Sequence, residues 1–306
     1  MSNSKLALLY IGMGASLWGI IGVFVTYLYE LGFTPIQVVT VRAISAALFL
    51  TMYVVIKNRE LFKIKMADSK YFIGTGIISI VFFNWCLFSA MEETSISVAF
   101  ILLYTAPAFV TIFSRIIFKE FLTPRKIVAL IVTFVGCTFV IGIFPNMNET
   151  FSSLGLILGL GSGFFYALYS IFGKFALKKY DSLTITVYTF LFAATAVTPF
   201  SGIWNVITLF SNLNVWLYII ALGFLSTMLP FLLYTKGLST IESSRASIVA
   251  TIEPVVAALA GFLIFNEQLN LWQYVGILLV ISAVMIVQEK SKKAYDQSYL
   301  SNKTSL

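Results

Sequence analysis

The residues of greatest chemical interest are Glu253 and Pro254, which occupy the middle of an apolar stretch from Ser244 to Asn270. The stretch is long enough to span a bilayer, and a carboxylate at that depth is costly as an ion unless it is paired or hydrated. Such a group is placed to bind a proton or a cationic group. The alternative role is a hydrogen-bonded strut that holds this helix to a neighbour. We expect Glu253 to be the principal functional residue.

Arg42 is the second ionisable group that the pattern places inside a span. It lies about 10 Å below one membrane boundary, at 1.5 Å per helical residue, and Glu253 lies about 15 Å below the same boundary. An arginine side chain can bridge the difference in depth. We therefore predict that the two side chains face one cavity and interact in at least one conformation. The alternatives are that Arg42 extends to the interface or pairs with Glu92 or Glu93.

Other candidates for a substrate or coupling site are prolines, aromatic residues and one further arginine. Pro107 and Pro254 each remove an N–H from an apolar span, which frees backbone carbonyls for substrate or bends the helix. A simple packing kink is the alternative. Arg245, at the start of a span, has either a site role or a structural one. The aromatic residues that could line a cavity for an aromatic or apolar substrate are Trp18, Trp85, Tyr104, Tyr166 and Tyr169.

The composition is that of a polytopic membrane protein. Of 306 residues, 59% are hydrophobic and only 11% are charged, and the mean hydropathy is +0.94. A lipid bilayer is therefore an expected partner. The formal net charge of +7 does not indicate a nucleic-acid partner, because the basic residues lie in short connections and in the tail.

Enzymatic chemistry lacks its usual components here. The chain has no histidine, and its two cysteines, Cys86 and Cys137, lie inside apolar spans where thiols behave as small hydrophobes. The aspartates lie in connections or in the tail. We therefore expect no enzyme activity, no cofactor and no metal site.

Apolar runs of about 20 residues, the length that crosses a hydrocarbon core, recur ten times along the chain. Lysine and arginine occupy alternate connections, so the positive-inside rule places both termini in the cytoplasm of a multi-pass protein of the cell membrane. No connection is long enough for a soluble domain. The predicted spans are 6–28, 35–56, 71–91, 95–118, 125–144, 153–175, 182–205, 215–236, 243–265 and 270–288.

The first five spans recur in the second half of the chain at an offset of 147 residues, the distance from Pro107 to Pro254. Matches fall in all five pairs of spans, and Glu120 is matched by Glu267. Only the second copy has the central acid, since Ala106 stands opposite Glu253. We expect Glu120 and Glu267 to complement the dipoles of the fifth and tenth helices, which begin just after them.

A repeat with an odd number of spans must lie in the membrane in both orientations, and inverted repeats are typical of secondary transporters. The predicted fold is therefore an all-α integral membrane protein of ten transmembrane helices. Its predicted domains are a first five-helix repeat over 6–144, a second over 153–288, and a cytoplasmic tail over 289–306.

The chain resembles the EamA-type ten-helix members of the drug/metabolite transporter superfamily over nearly its whole length. The order and spacing of several segments carry the resemblance, above all SISVAFILLYTAPAF (95–109) and SRASIVATIEPVVAAL (244–259). The family implies an exporter or importer of small metabolites, often amino acids, with a central cavity between the halves. The related four-helix multidrug exporters carry a coupling glutamate in their first helix. No acid lies between Lys5 and Glu30 here, so that mechanism does not transfer.

The expected function is secondary active transport, in the export direction, of an amino acid or related compound by alternating access, with a proton as one candidate coupling ion. A passive channel, a membrane scaffold and a transporter of nucleosides, sugar derivatives or drugs are the alternatives. The oligomeric state is left open.

The charge pattern yields a prediction for topology. In a variant without Cys86 and Cys137, a cysteine at Asn212 should react with an impermeant maleimide added to intact cells. A cysteine at Lys63 should react only after the cells are opened, because positive connections stay inside. Labelling of position 63 in intact cells would reverse the orientation.

Overall fold

Residues 3–143 and 152–288 of the protein are described by a computed structural model, and all of its regular structure there is helical. The predicted tail and the end of the predicted fifth span at residue 144 lie outside these residues. The helices of the first half are α1 (Asn3–Gly19), α2 (Ile21–Glu30), α3 (Pro35–Lys57), α4 (Ser69–Ile73), α5 (Phe82–Glu93), α6 (Ile96–Leu103), α7 (Ala106–Ile117) and α8 (Pro124–Val140).

The second half follows the same order of elements. The predicted span 182–205 is shorter than expected, because its helix ends at Val197 and the chain continues in tight turns through Pro199 and a left-handed Gly202. Its helices are α9 (Ser153–Ala176), α10 (Ser182–Val197), α11 (Leu213–Gly223), α12 (Leu229–Leu238), α13 (Ser243–Ala250), α14 (Ile252–Phe265) and α15 (Leu271–Gln288).

Nine helical stretches among the described residues are long and apolar enough to cross a membrane. They coincide with nine of the ten predicted spans. The remaining predicted span corresponds to α8, which has 17 residues and at 1.5 Å per residue is about 25 Å long. It packs along α15. The chain is thus a multi-pass, all-helical membrane protein.

Two of the long stretches are interrupted just before a proline. In the first, α6 ends at Leu103 and α7 begins at Ala106, one residue before Pro107. In the second, α13 ends at Ala250 and α14 begins at Ile252, two residues before Pro254. Because proline has no N–H and its ring crowds the carbonyl four residues earlier, each helix stops and restarts. The bends expected at both prolines are present.

Two other stretches contain π-helical turns that the sequence reasoning did not predict, Gly74–Val81 between α4 and α5 and Phe224–Met228 between α11 and α12. The two segments overlap at the 147-residue offset. A π turn leaves carbonyls without their usual helical partner, and in the second segment the hydroxyl of Thr227 donates to the carbonyl of Leu222 at 2.8 Å. Such turns in α-helices are frequent at functional sites.

The two halves of the chain are interleaved in the bundle. Helix α1 packs against α12, α13 and α14 of the second half, and α9 packs against α5, α6 and α7 of the first half. The 147-residue repeat relates each of these two sets of contacts to the other. Each half therefore places its first helix against the other half, where it contacts the broken helix of that half.

Gly19, the last residue of α1, brings that helix against the backbone of α14. A Cβ atom on Gly19 would lie 2.7 Å from the carbonyl oxygen of Glu253 and 2.6 Å from Cβ of Val256. Only a residue without a side chain permits this approach. The contact fixes the depth of α1 relative to the carboxylate that follows the break.

Gly19→Ala should therefore lower stability, by about 1–3 kcal/mol, because the methyl group forces apart two packed backbones. Gly22→Ala is the matched control, since a Cβ there meets nothing within 4 Å and alanine favours a helix over glycine. Thermal unfolding in detergent compares the two. An unfolding midpoint of Gly19→Ala at or above wild type would contradict the close contact.

Candidate functional site

A cavity of about 360 Å³ opens between the two halves. Its walls are largely apolar and aromatic, and it extends from the middle of the bundle to one surface. Tyr29 and Ile96 line it there and are 39% and 64% exposed. We call this surface, with the connections 31–34 and 94–95, the open face. The size and lining are those of a small-molecule site.

Arg42 and Glu253 both line this cavity, as the depth argument predicted. Arg42 comes from α3, and Glu253 is in the first turn of α14, directly after the break at Thr251. Within residues 3–143 and 152–288, neither side chain forms an ion pair or a hydrogen bond. The pairing of Arg42 with Glu92 or Glu93 is therefore absent. One cation and one carboxylate instead share the cavity without a direct contact between them.

The inner end of the cavity is a cluster of aromatic rings. Trp18 from α1 packs edge-on against Phe231 with ring centroids 4.9 Å apart, and Tyr169 packs on the same ring at 5.1 Å. The hydroxyl of Tyr169 lies 2.7 Å from that of Thr235, and the hydroxyls of Tyr234 and Ser170 lie 2.7 Å apart. The indole N–H of Trp18 is buried without a hydrogen-bond partner in the described part of the chain. The cluster gives the cavity a rigid, mainly apolar floor. Of the predicted aromatic residues, Trp18, Tyr166 and Tyr169 line the cavity.

A second, much smaller pocket of about 20 Å³ lies on the other side of Glu253. Tyr104 and Pro107 line it, together with Ser247 and Thr251 from the opposite broken helix. The volume suits one water molecule. Glu253 lines both pockets, so it lies between the main cavity and the space at the two helix breaks.

Three predicted site residues line neither the cavity nor the small pocket. Trp85 is 55% exposed and packs on Phe82. The side of α5 that lines the cavity is formed by residues three and four apart, from Asn84 to Met91, and Trp85 lies on another side of the helix. Pro254 is buried in α14 without reaching the cavity surface. Trp85 therefore does not line the cavity, contrary to the expectation for it, whereas Pro254 was predicted to act through its helix break and not as a lining side chain.

Arg245 is the third, and its surroundings are structural. Its guanidinium donates from Nε to the carbonyl of Val287 at 3.1 Å and from Nη2 to the carbonyl of Gln288 at 3.2 Å. These carbonyls end α15, so the arginine complements the negative end of that helix. The structural alternative is thus the one that matches its contacts.

The sequence reasoning missed several cavity residues, notably Ser79, Asn84, Phe231 and Tyr234. Asn84 is buried, and its side chain donates to the carbonyl of Ile80 at 2.7 Å. An asparagine within an apolar span is unusual enough to have been singled out. The two aromatic residues carried no such signal in a chain that is 16% aromatic.

The opposite surface, which we call the closed face, is sealed by polar contacts. The carboxylate of Glu120 accepts hydrogen bonds from the backbone N–H groups of Ser243 and Ser244 at 2.7 and 3.2 Å. It thus caps α13, and the expectation that it serves the helix that follows it in sequence is wrong. Nearby, Lys126 pairs with Glu242 at 2.9 Å.

The described residues hold no group of three or more cysteine, aspartate or glutamate side chains that could bind a metal ion. Cys86 and Cys137 are buried as separate free thiols. The arrangement is a polar pair in an apolar chamber, which suits binding of a small molecule.

Known proteins match this chain over almost all of its length. The model of the EamA-like transporter family matches residues 5–142 and again residues 153–288. An uncharacterised transporter of Archaeoglobus fulgidus is 29% identical over 92% of this chain and 98% of its own. An uncharacterised inner membrane transporter of Salmonella typhimurium is 23% identical over 96% and 98%.

A second transporter of Archaeoglobus fulgidus is 31% identical over 65% of this chain and 69% of its own. A crystal structure superposes with a TM-score of 0.75 at 14% identity, covering 92% of this chain and 95% of the other, and so shares the fold. The chain is a member of the EamA-like transporter family, within the drug/metabolite transporter superfamily.

Proposed function

We propose that the protein is a secondary active transporter that exports an amino acid or a related zwitterion by alternating access. The observation that carries this proposal is the unpaired Arg42 and Glu253 in one apolar cavity. Burying two unpaired charges is unfavourable unless something compensates them. A bound zwitterion supplies both counter-charges at once, with its carboxylate at Arg42 and its ammonium at Glu253.

The lining of the cavity defines the rest of the substrate. Beyond the charged pair, the walls are formed mainly by residues such as Leu87, Phe100 and Phe231. Apolar walls of this kind favour an apolar or aromatic side chain, since each CH₂ group removed from water contributes about 0.8 kcal/mol. The proposed substrates are therefore amino acids such as leucine or phenylalanine.

The proposed topology has ten spans in two inverted five-helix repeats, with both termini in the cytoplasm. It rests on the alternation of basic connections, which places Lys57 to Lys70 inside. The cavity then opens to the outside in this conformation and is sealed on the cytoplasmic side. Export requires a second conformation in which the cavity opens to the cytoplasm.

Coupling to a proton follows from the same carboxylate. Glu253 is ionised while it binds the substrate ammonium and must lose that charge, by protonation, to return empty through an apolar interior. Competition between a proton and the ammonium for one carboxylate would exchange one for the other. This proposal makes the protein a proton-driven antiporter.

A passive channel is the second candidate, and the contacts of the closed face argue against it. A channel needs one path open to both sides, whereas Glu120 and Lys126 seal one side with hydrogen bonds and an ion pair. A transporter of another metabolite class would fit the fold equally, and the ligand series below distinguishes it.

Glu253→Gln keeps size and hydrogen bonding but removes the ionisable group. In vesicles with an imposed proton gradient, the variant should fold and express normally yet lose uphill transport of leucine. Glu60→Gln is the matched control, because Glu60 is exposed and its pair with Lys63 lies outside the cavity. Wild-type, pH-dependent uphill transport by Glu253→Gln would refute the role of the acid.

Arg42→Gln tests how the substrate is held. Leucine at 100 times its dissociation constant should stabilise the wild type by about 2.7 kcal/mol, and this gain should vanish in the variant. Isopentylamine, which lacks the carboxylate, should raise the melting temperature of both proteins equally. Equal stabilisation of wild type and variant by leucine would exclude Arg42 as the carboxylate site, and stabilisation only by nucleosides or sugars would change the substrate class.

A further inference from the structure

The contact that seals the closed face joins the carboxylate of Glu120 to Ser243 and Ser244. Glu120 Oε1 accepts from the N–H of Ser243 at 2.7 Å, and Oε2 accepts from the N–H and the hydroxyl of Ser244 at 3.2 and 2.5 Å. The first N–H groups of a helix have no partner within it. One carboxylate therefore satisfies the start of α13, and both serines are no more than 1% exposed.

The repeat places the counterparts of Glu120 and Ser244 at the open face. Glu267 lies 147 residues after Glu120, and Ser97 lies 147 residues before Ser244. Ser97 is in the first turn of α6, which is the counterpart of α13. The helix end that carries a glutamate and the helix start that carries a serine are thus both present once at each face.

The two glutamates are also presented by the same backbone turn. The residue before each of them is left-handed, with φ of 57° at Lys119 and 55° at Asn266. The N–H of Glu120 returns to the carbonyl of Ser114 at 3.2 Å, and the N–H of Glu267 returns to the carbonyl six residues earlier, also at 3.2 Å. The backbone turn is therefore the same at both glutamates, while the carboxylate of Glu267 lies against Gly261 of α14.

At the open face, however, the contact is not made. Glu267 is exposed, and within the described part of the chain its carboxylate has no hydrogen bond or ion pair. Ile96, the counterpart of Ser243, is 64% exposed and lines the mouth of the cavity. Helix α6 has only the hydroxyl of its own Ser95, which accepts from the N–H of Val98 at 3.3 Å.

We propose that Glu267 is the counterpart of Glu120 at the open face. In the second conformation, in which the cavity opens at the face that is closed here, Glu267 caps α6. Its carboxylate then accepts from the N–H groups of Ile96 and Ser97 and from the Ser97 hydroxyl. Glu120 releases α13 in the same step. The inference rests on the alternating access proposed above, and it assigns the two carboxylates as mutually exclusive closing contacts.

Each open state has only one of the two contacts, because a cavity that opens at one face must be sealed at the other. If both contacts formed together, the cavity would be sealed at both ends, which describes an occluded intermediate. If both were broken, it would leak. Exchange of one cap for an equivalent one adds little to the difference in free energy between the two open states, so the caps themselves do not block the cycle.

Accessibility of the cavity tests the proposal without any substrate. A single cysteine replaces Thr26, a cavity residue, in a variant lacking Cys86 and Cys137, and an impermeant maleimide is applied from the open face. Adding Glu120→Ala should decrease the labelling rate, because it removes the cap of the conformation that opens to this face, and adding Glu267→Ala to that variant should restore the rate. A lost cap corresponds to about a fivefold change in the ratio of the two states. Unchanged or reversed effects would overturn the proposal.

A cross-link provides the second measurement, in case the alanine variants fold poorly. Glu267→Cys with Ser97→Cys should form a disulfide on oxidation, which requires the two Cα atoms to approach within about 7 Å. It should then block labelling of the cavity from the open face. Glu120→Cys with Ser244→Cys is the matched pair and should trap the cavity open to that face. Formation of the second disulfide but not the first would refute the proposed contact.

These results are separable from those on the substrate. Labelling and cross-linking report which face is open, whereas the Glu253→Gln assay reports coupling. Repeating the labelling in inside-out vesicles assigns the open face to one side of the membrane, so a reversed topology would not be mistaken for a missing gate.

Discussion

A backbone in hydrocarbon must satisfy its own hydrogen bonds, and this constraint decides where the protein can place chemistry. A continuous helix leaves no polar backbone for a ligand. Breaks before Pro107 and Pro254 relax the constraint in the middle of the bundle, where the freed groups face protein and cavity. Glu253 follows directly from the second break. The charged site, the cavity and the small pocket beside it therefore all depend on two interrupted helices.

The repeat determines the scaffold, and the residues of the site lie where the two copies differ. Pro107 and Pro254 keep the break in both copies, but Ala106 stands where the second copy has Glu253. Likewise Gly19, which lets α1 touch the backbone of Glu253, is replaced in the second copy by Tyr166, a residue of the cavity wall. The interleaved halves build a scaffold of near twofold design around a site that has only one acid.

The sequence was sufficient for the helices and for the polar pair, for physical reasons. Span boundaries follow from the cost of polar residues in lipid, and the depth of Arg42 and Glu253 follows from a fixed rise per residue. Neither argument gives the rotation of a helix about its axis. For this reason the side of the helix on which Trp85 lies was predicted wrongly, and Phe231 and Tyr234 were overlooked. The partner of Glu120 was also beyond reach, because its contact joins residues 123 positions apart and depends on how the halves dock.

Because of the ion pair between Lys126 and Glu242, the contacts that close the two faces of the protein differ in strength. Under the repeat its members correspond to Gln273 and Ser95, which are neutral, and Gln273 is already bonded to the carbonyl of Val140. The open face can therefore be shut by a carboxylate cap alone, while the other face adds a partly buried salt bridge. In the alternating access proposed above, this bridge favours the conformation whose cavity opens away from it, and opening the closed face requires energy from ligand binding to break the bridge.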